Sequence, residues 1–134
     1  MKTKAIITFL ITGFIVASFT LNTIDQKKPW PVPAAAKAKK NPVPCNAESI
    51  KEGKSLWSTH CKSCHGTKGL GDGTKAAQLK TEPGDFSKAD FQSQTDGEIF
   101  YKLSAGRDDM PASKKKIPDD EDRWNLVNFI RTLK

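Results

Sequence analysis

The chain has 134 residues, 28% charged and 37% hydrophobic, which suits one small globular domain with a segment to spare. Its net charge of +7 is uneven: residues 1–45 hold seven Lys and one Asp, while residues 46–134 hold fifteen Lys and Arg against fourteen acids. The basic excess therefore belongs to an N-terminal tail, and a folded part this close to neutral argues against nucleic acid as a partner.

Lys2 and Lys4 precede an uncharged run over residues 5–21, AIITFLITGFIVASFTL, which reads as an export signal or signal anchor. Its 17 residues fall between a signal-peptide core and a full membrane span, so length alone does not separate the two. Val16-Ala17-Ser18 offers a weak cleavage site. The long tail that follows makes better sense as a tether, which favours an uncleaved anchor at 1–21. Lys27, Lys28 and Lys37 on the translocated side run against the positive-inside tendency, softened by the neutral or acidic stretch from Asn22 to Gln26.

Residues 22–45 form the expected linker. Five Pro lie between Lys27 and Cys45 with no apolar periodicity, so a semi-extended chain is predicted there. The 24 residues from Asn22 to Cys45 would reach at most roughly 70 Å at polyproline rise. Trp30 reads as an interfacial anchor or a clamp on the domain. Cys45 lacks the small-residue box that precedes a lipidated cysteine, and reads as a free thiol.

A folded domain is predicted over 46–134. Asn46 is a good helix N-cap, and Ile50, Gly53, Leu56 and Trp57 recur at helical spacing up to His60. Gly53 inside a helix costs stability relative to Ala, and a close helix crossing would account for it. Trp57 reads as core packing in preference to a site residue.

This helix ends in Cys61-Lys62-Ser63-Cys64-His65, the C-x-x-C-H pattern of covalent c-type haem attachment. Two thiols three positions apart on one helical turn can face the same way and form thioethers with the haem vinyl groups. The adjoining His65 then supplies the proximal nitrogen. A zinc site would need further ligands from a chain with three Cys and two His in all, and His60 points away from Cys61. A thioredoxin-like dithiol should open a helix after a strand, whereas this motif closes a helical segment.

Four glycines between Gly66 and Gly73 lack the strand and the Lys-Ser/Thr pair of a phosphate loop; they would let backbone pass close to a flat cofactor. Residues 76–80 read as a short helix and 82–86 as a turn, with Phe86 and Phe91 as pocket or core aromatics. Thr95 and Glu98 form a capping box ahead of Ile99, Phe100 and Leu103, and Gly106 is a natural stop. The last helix opens with the acids of 119–122 and carries Trp124, Val127, Ile130 and Leu133 on one apolar face, broadened by Leu126 and Phe129. The fold class is thus all-α: three to four helices around one covalently attached haem, which would enlarge a thin core.

A low-spin electron-transfer haem needs a second strong axial ligand, commonly His or Met. His60 cannot reach the opposite face from beside Cys61, and Met1 precedes the export segment. Met110 remains, 45 residues beyond His65 on a loop between two predicted helices, with Pro111 stiffening its approach. Met sulfur favours ferrous iron more than a second imidazole would and so raises the potential.

With C-x-x-C-H, a downstream Met-Pro and an amphipathic C-terminal helix containing Trp124, residues 46–134 resemble the class I mono-haem cytochrome c family. The resemblance assigns the thioethers to Cys61 and Cys64, the proximal ligand to His65 and the distal ligand to Met110. It also implies that the helix around Gly53 crosses the one from Trp124 to Ile130. One departure is Ala112-Ser113 before Lys114-Lys115-Lys116, where relatives often carry an aromatic residue. That lysine run is either a docking patch for an acidic redox partner or a solvated face, and salt sensitivity of electron transfer separates the two.

The implied function is that of a carrier of single electrons, not an enzyme. It would work with redox partner proteins, free or as a subunit of a membrane respiratory complex, without a small-molecule substrate. The implied place is the bacterial envelope, anchored in the cytoplasmic membrane with the haem domain on the periplasmic side, or soluble in the periplasm after cleavage. The alternative from another class is a haem enzyme or gas sensor with an open distal iron position.

Overall fold

The computed structural model describes residues 29–134. The expected export segment at 1–21 lies outside them. Among the described residues no helix is long and apolar enough to cross a membrane.

Among the described residues there are six α-helices and no named strand, in keeping with the all-α expectation. They are α1 (Ala34–Lys37), α2 (Ala47–His60), α3 (Lys62–His65), α4 (Ala89–Gln92), α5 (Asp96–Ala105) and α6 (Asp120–Ile130). Three are long, and local chemistry sets their ends. Asn46 caps α2, accepting from the Ser49 N–H at 2.9 Å while Ser49 Oγ accepts from the Asn46 N–H at 3.2 Å. Thr95 and Glu98 close the same reciprocal box on α5 at 3.1 and 2.8 Å. Asp119 caps α6, whose first turn carries Asp120, Glu121 and Asp122 against the positive end of the helix dipole.

Helices α2 and α6 cross at Gly53. A Cβ placed there would lie 2.7 Å from the Asn125 carbonyl carbon and 2.8 Å from Phe129 Cβ. The glycine expected to mark a close crossing does mark one. Helix α5 packs on α6 from another side, with Phe100 stacked on Trp124 at 3.9 Å between ring centres and 16° between planes. Trp57, Phe86, Ile99, Leu103, Ile117, Leu126, Val127, Phe129 and Ile130 complete the main buried cluster. Each large side chain sealed there contributes about 1.5–3 kcal/mol relative to exposure.

Helix α6 is buried on every side from Arg123 to Ile130, more than its one apolar face predicts. The extra cover comes from the Pro-rich stretch. Composition reads residues 22–45 as a linker with the domain beginning at 46; in the structure Pro31–Lys134 forms one compact unit. Asn41 Nδ2 donates to Asn128 Oδ1 at 2.8 Å, and Asn128 Nδ2 donates to Ser49 Oγ at 3.0 Å and to the carbonyls of Val43 and Pro44 at 3.3 Å each. Farther back, the Lys37 carbonyl accepts from Thr95 Oγ1 at 3.0 Å, Lys37 Nζ pairs with Glu98 at 3.2 Å, and α1 crosses α5 at Gly97, where a Cβ would come to 2.9 Å from the Lys39 carbonyl oxygen. A strap held by polar bonds, several of them to the buried Asn128, leaves no hydrophobic period to read.

Arg123 carries the second buried polar cluster. Its guanidinium bonds the Ile117 carbonyl, Ser104 Oγ and Asp120, and lies 5.4 Å from the Phe100 ring centre. The charge is thereby satisfied inside the core, and the loop after Met110 is tied to the start of α6.

Candidate functional site

The site is built at the joint between α2 and α3. Cys61 ends α2, and its carbonyl accepts from the N–H groups of both Cys64 and His65, at 3.1 and 3.0 Å. One short turn therefore presents two sulfurs and an imidazole. All three described cysteines are free, with Cys45 exposed and away from the pair, and Cys61 and Cys64 half-buried. Burial, aided by the neighbouring Cys64 thiol, pushes the Cys61 thiol up to about 12. A dithiol redox centre needs the opposite shift, a cysteine pKa lowered toward neutrality, so Cys61 is ill-suited to thiol exchange. Among the described residues no three of His, Cys, Asp or Glu are grouped so as to hold a metal ion.

His65 is held by aromatic neighbours. Its ring centre lies 5.6 Å from Trp57 and 4.8 Å from Phe86, and Trp57 Nε1 donates to the Gly66 carbonyl at 3.0 Å, locking the end of the motif to α2. Trp57, expected as core, is core, and it also buttresses the candidate ligand. Phe86 stacks in turn on Phe91 at 4.0 Å and 7°, so both aromatics expected in a core or pocket role lie behind the imidazole.

Burial lowers the His65 pKa to about 4, and the Pro83 backbone carbonyl opposes that fall in part. The Nδ1 nitrogen is sealed from solvent with no hydrogen-bond partner. Of the two ring nitrogens only Nδ1 is closed off in this way. A neutral imidazole with one nitrogen turned inward is the form that can offer the other to a metal.

Two glycines of the loop let protein backbone approach closely. A Cβ on Gly71 would lie 2.7 Å from the Gly84 carbonyl oxygen, and one on Gly73 would lie 2.6 Å from the Cys64 carbonyl carbon. These glycines let the loop fold back onto the motif itself and onto the turn at 82–86; their nearest neighbours are protein backbone.

Met110 sits at the end of the tight turn Arg107–Met110. The turn is closed by two backbone bonds of 2.9 Å each, from Arg107 N–H to the Met110 carbonyl and from Met110 N–H to the Arg107 carbonyl. Gly106, with φ +67, opens it, and a Cβ there would lie 2.5 Å from the Met110 carbonyl oxygen. Met110 is half-buried against the main core cluster. His60 is exposed on the last turn of α2.

The residues present fit a covalently attached haem: two free thiols and an imidazole on one turn, a ring nitrogen sealed on the protein side, and one methionine on a constrained turn. Sequence reasoning missed Pro83 and Asp109. Asp109 Oδ2 accepts from the N–H groups of Lys80 and Thr81, at 2.7 and 3.1 Å. An exposed carboxylate bonding to backbone of another loop leaves no sequence period or motif.

The Cytochrome c family profile matches residues 50–134. No curated protein matches the chain. A solved structure described as the Kuenenia stuttgartiensis reducing HAO-like protein complex Kustc0457/Kustc0458 is similar at 23% identity, with a TM-score of 0.61 over 81% of this chain and 52% of that one. The chain thus spans about half the length of that relative, and at this identity the likeness shows the fold. A second, described as the KustC0563 c-type cytochrome, is similar at 28% identity, with a TM-score of 0.51 over 61% of this chain and 96% of that one.

Proposed function

The chain belongs to the cytochrome c family, and on that footing we propose that it carries single electrons between redox proteins, with Cys61, Cys64 and His65 holding its haem c and Met110 as the second axial ligand. Haem c supplies a one-electron Fe(II)/Fe(III) couple, which a thioether ligand biases toward the reduced form. His65 contributes an imidazole that burial keeps neutral down to about pH 4. Trp57 and Phe86 fix its plane and keep water from its inner nitrogen.

The observation that carries this reading is the constraint on Met110. A methionine serving as filler needs only apolar neighbours, whereas this one is delivered by a two-bond turn that fixes its backbone. Side chains in both axial positions leave neither substrate nor gas an open site, so an electron carrier is favoured over a haem enzyme or sensor. The carrier would be tethered in the bacterial envelope by residues 1–21, with its haem domain on the periplasmic side. Lys114-Lys115-Lys116, exposed in the structure, would meet an acidic partner face, free or within a larger assembly.

The test compares the purified holoprotein with Met110→Ala. The wild type should show the far-red absorption of sulfur-ligated ferric haem and resist carbon monoxide when ferrous. The variant should lose that band, bind carbon monoxide and fall in midpoint potential. Fast carbon monoxide binding by the wild type, or an unchanged spectrum in the variant, overturns the reading.

A further inference from the structure

Holding a weak thioether ligand in place requires that its loop be prevented from lifting away. The turn bearing Met110 is closed on itself by its two backbone bonds, but those bonds do not fix it to the rest of the domain. Asp108 within it takes a left-handed backbone, φ 51, unusual for a residue with a side chain, so the turn depends on its surroundings to persist. Asp109 is exposed, and its carboxylate reaches 29 residues back in the chain to two successive backbone N–H groups, those of Lys80 and Thr81. Five residues beyond Thr81 is Phe86, whose ring centre lies 4.8 Å from that of His65. The turn carrying one axial residue is therefore fastened to the loop that backs the other.

We propose that Asp109 is a positioning residue that clamps the Met110 turn to the loop at 80–83, so that the two loops behind the axial side chains are tied to each other. The clamp rests on the reading of Met110 as a ligand. Both bonds go to the same oxygen, Oδ2. Asn retains one acceptor oxygen at that place and should keep the clamp, whereas Ala removes it.

The test measures how fast imidazole binds to the ferric holoprotein, a rate governed by how often the methionine lifts off. Asp109→Ala should bind imidazole about fivefold faster, the effect expected when two solvent-exposed bonds to a carboxylate are lost. It should also lose the far-red band at a lower temperature than helix content is lost. Asp109→Asn should stay close to the wild type. An Asp109→Ala rate equal to that of the wild type, or an Asp109→Asn variant as impaired as Asp109→Ala, overturns the clamp.

Met110→Ala serves as the reference. If it leaves the imidazole rate and the far-red band untouched, the ligand reading itself falls; if it changes both while Asp109→Ala changes neither, only the clamp falls. Should Asp109→Ala fail to mature, hydrogen exchange on the wild-type holoprotein decides. The amides of Lys80 and Thr81 should lose protection when imidazole displaces the methionine, and unchanged protection refutes the clamp.

Discussion

Replacing Gly53 with Ala puts a methyl group into the crossing of α2 and α6. The nearest neighbours belong to the backbone of Asn125 and to the first side-chain carbon of Phe129, neither of which can rotate aside. Bringing these contacts, the nearest of them to the Asn125 carbonyl oxygen, out to ordinary separations requires the helices to part by roughly 1 Å. A gap of that size forfeits a quarter to a half of the dispersion energy along the seam, where Trp57, Val127 and Phe129 are packed. At about 1.5–3 kcal/mol per buried side chain, the loss comes to about 2–4 kcal/mol. The better helix propensity of Ala returns up to about 1 kcal/mol, leaving a net destabilisation of about 1–3 kcal/mol.

Urea unfolding of the holoprotein, followed by fluorescence of Trp57 and Trp124 together with helix ellipticity, reads this directly. With a slope of about 1–3 kcal/mol per molar urea, the midpoint should fall by about 1 M with no change in slope. A midpoint that stays put or rises would mean that the crossing opens freely, and that the glycine is there for some other reason.

Two further outcomes follow from polar groups. Asn128→Ala removes the side chain that joins Asn41, Val43, Pro44 and Ser49, so the 31–45 stretch loses its bonds to this buried side chain of α6. It should cost about 2–3 kcal/mol and make residues 31–45 sensitive to protease while the rest of the domain resists, as peptide mapping of a limited digest would show. His65 bears on acid stability. Its folded pKa is lowered from 6.5 to about 4, so its contribution is complete above pH 6.5 and drains away as pH falls toward 4. In the holoprotein iron competes with the proton as well, so an acid titration of the haem absorption should show no loss of the histidine ligand above about pH 4; a transition centred above pH 5 would contradict the burial of the ring.

The parts of this molecule written in local chemistry were readable from the sequence. Asn46 before α2, the Thr95 and Glu98 box, and the acids opening α6 each act within a turn or two of their own position, and each caps the helix it was expected to cap. Gly53 announced the crossing because a glycine is costly in mid-helix. The strap was hidden because Asn41 and Asn128 are 87 positions apart and polar, so composition alone made Pro31–Cys45 look like solvent-exposed linker. The Asp109 bonds and the Pro83 carbonyl were hidden for a related reason: a backbone partner has no letter of its own. Helix α6 looked amphipathic because Arg123 and Asn128 are polar, yet both are buried with partners supplied from elsewhere in the chain.

The crossing at Gly53 joins residues that are 72 positions apart, with the cysteine pair lying between them. During synthesis the α2–α6 crossing cannot close until α6 has been made, so the segment carrying the two thiols precedes its packing partner. Once closed, that fold draws Cys61 into surroundings that suppress its ionisation. An order of events is thereby built into the topology: the Cys61 thiol ionises most readily before the two ends of the domain meet.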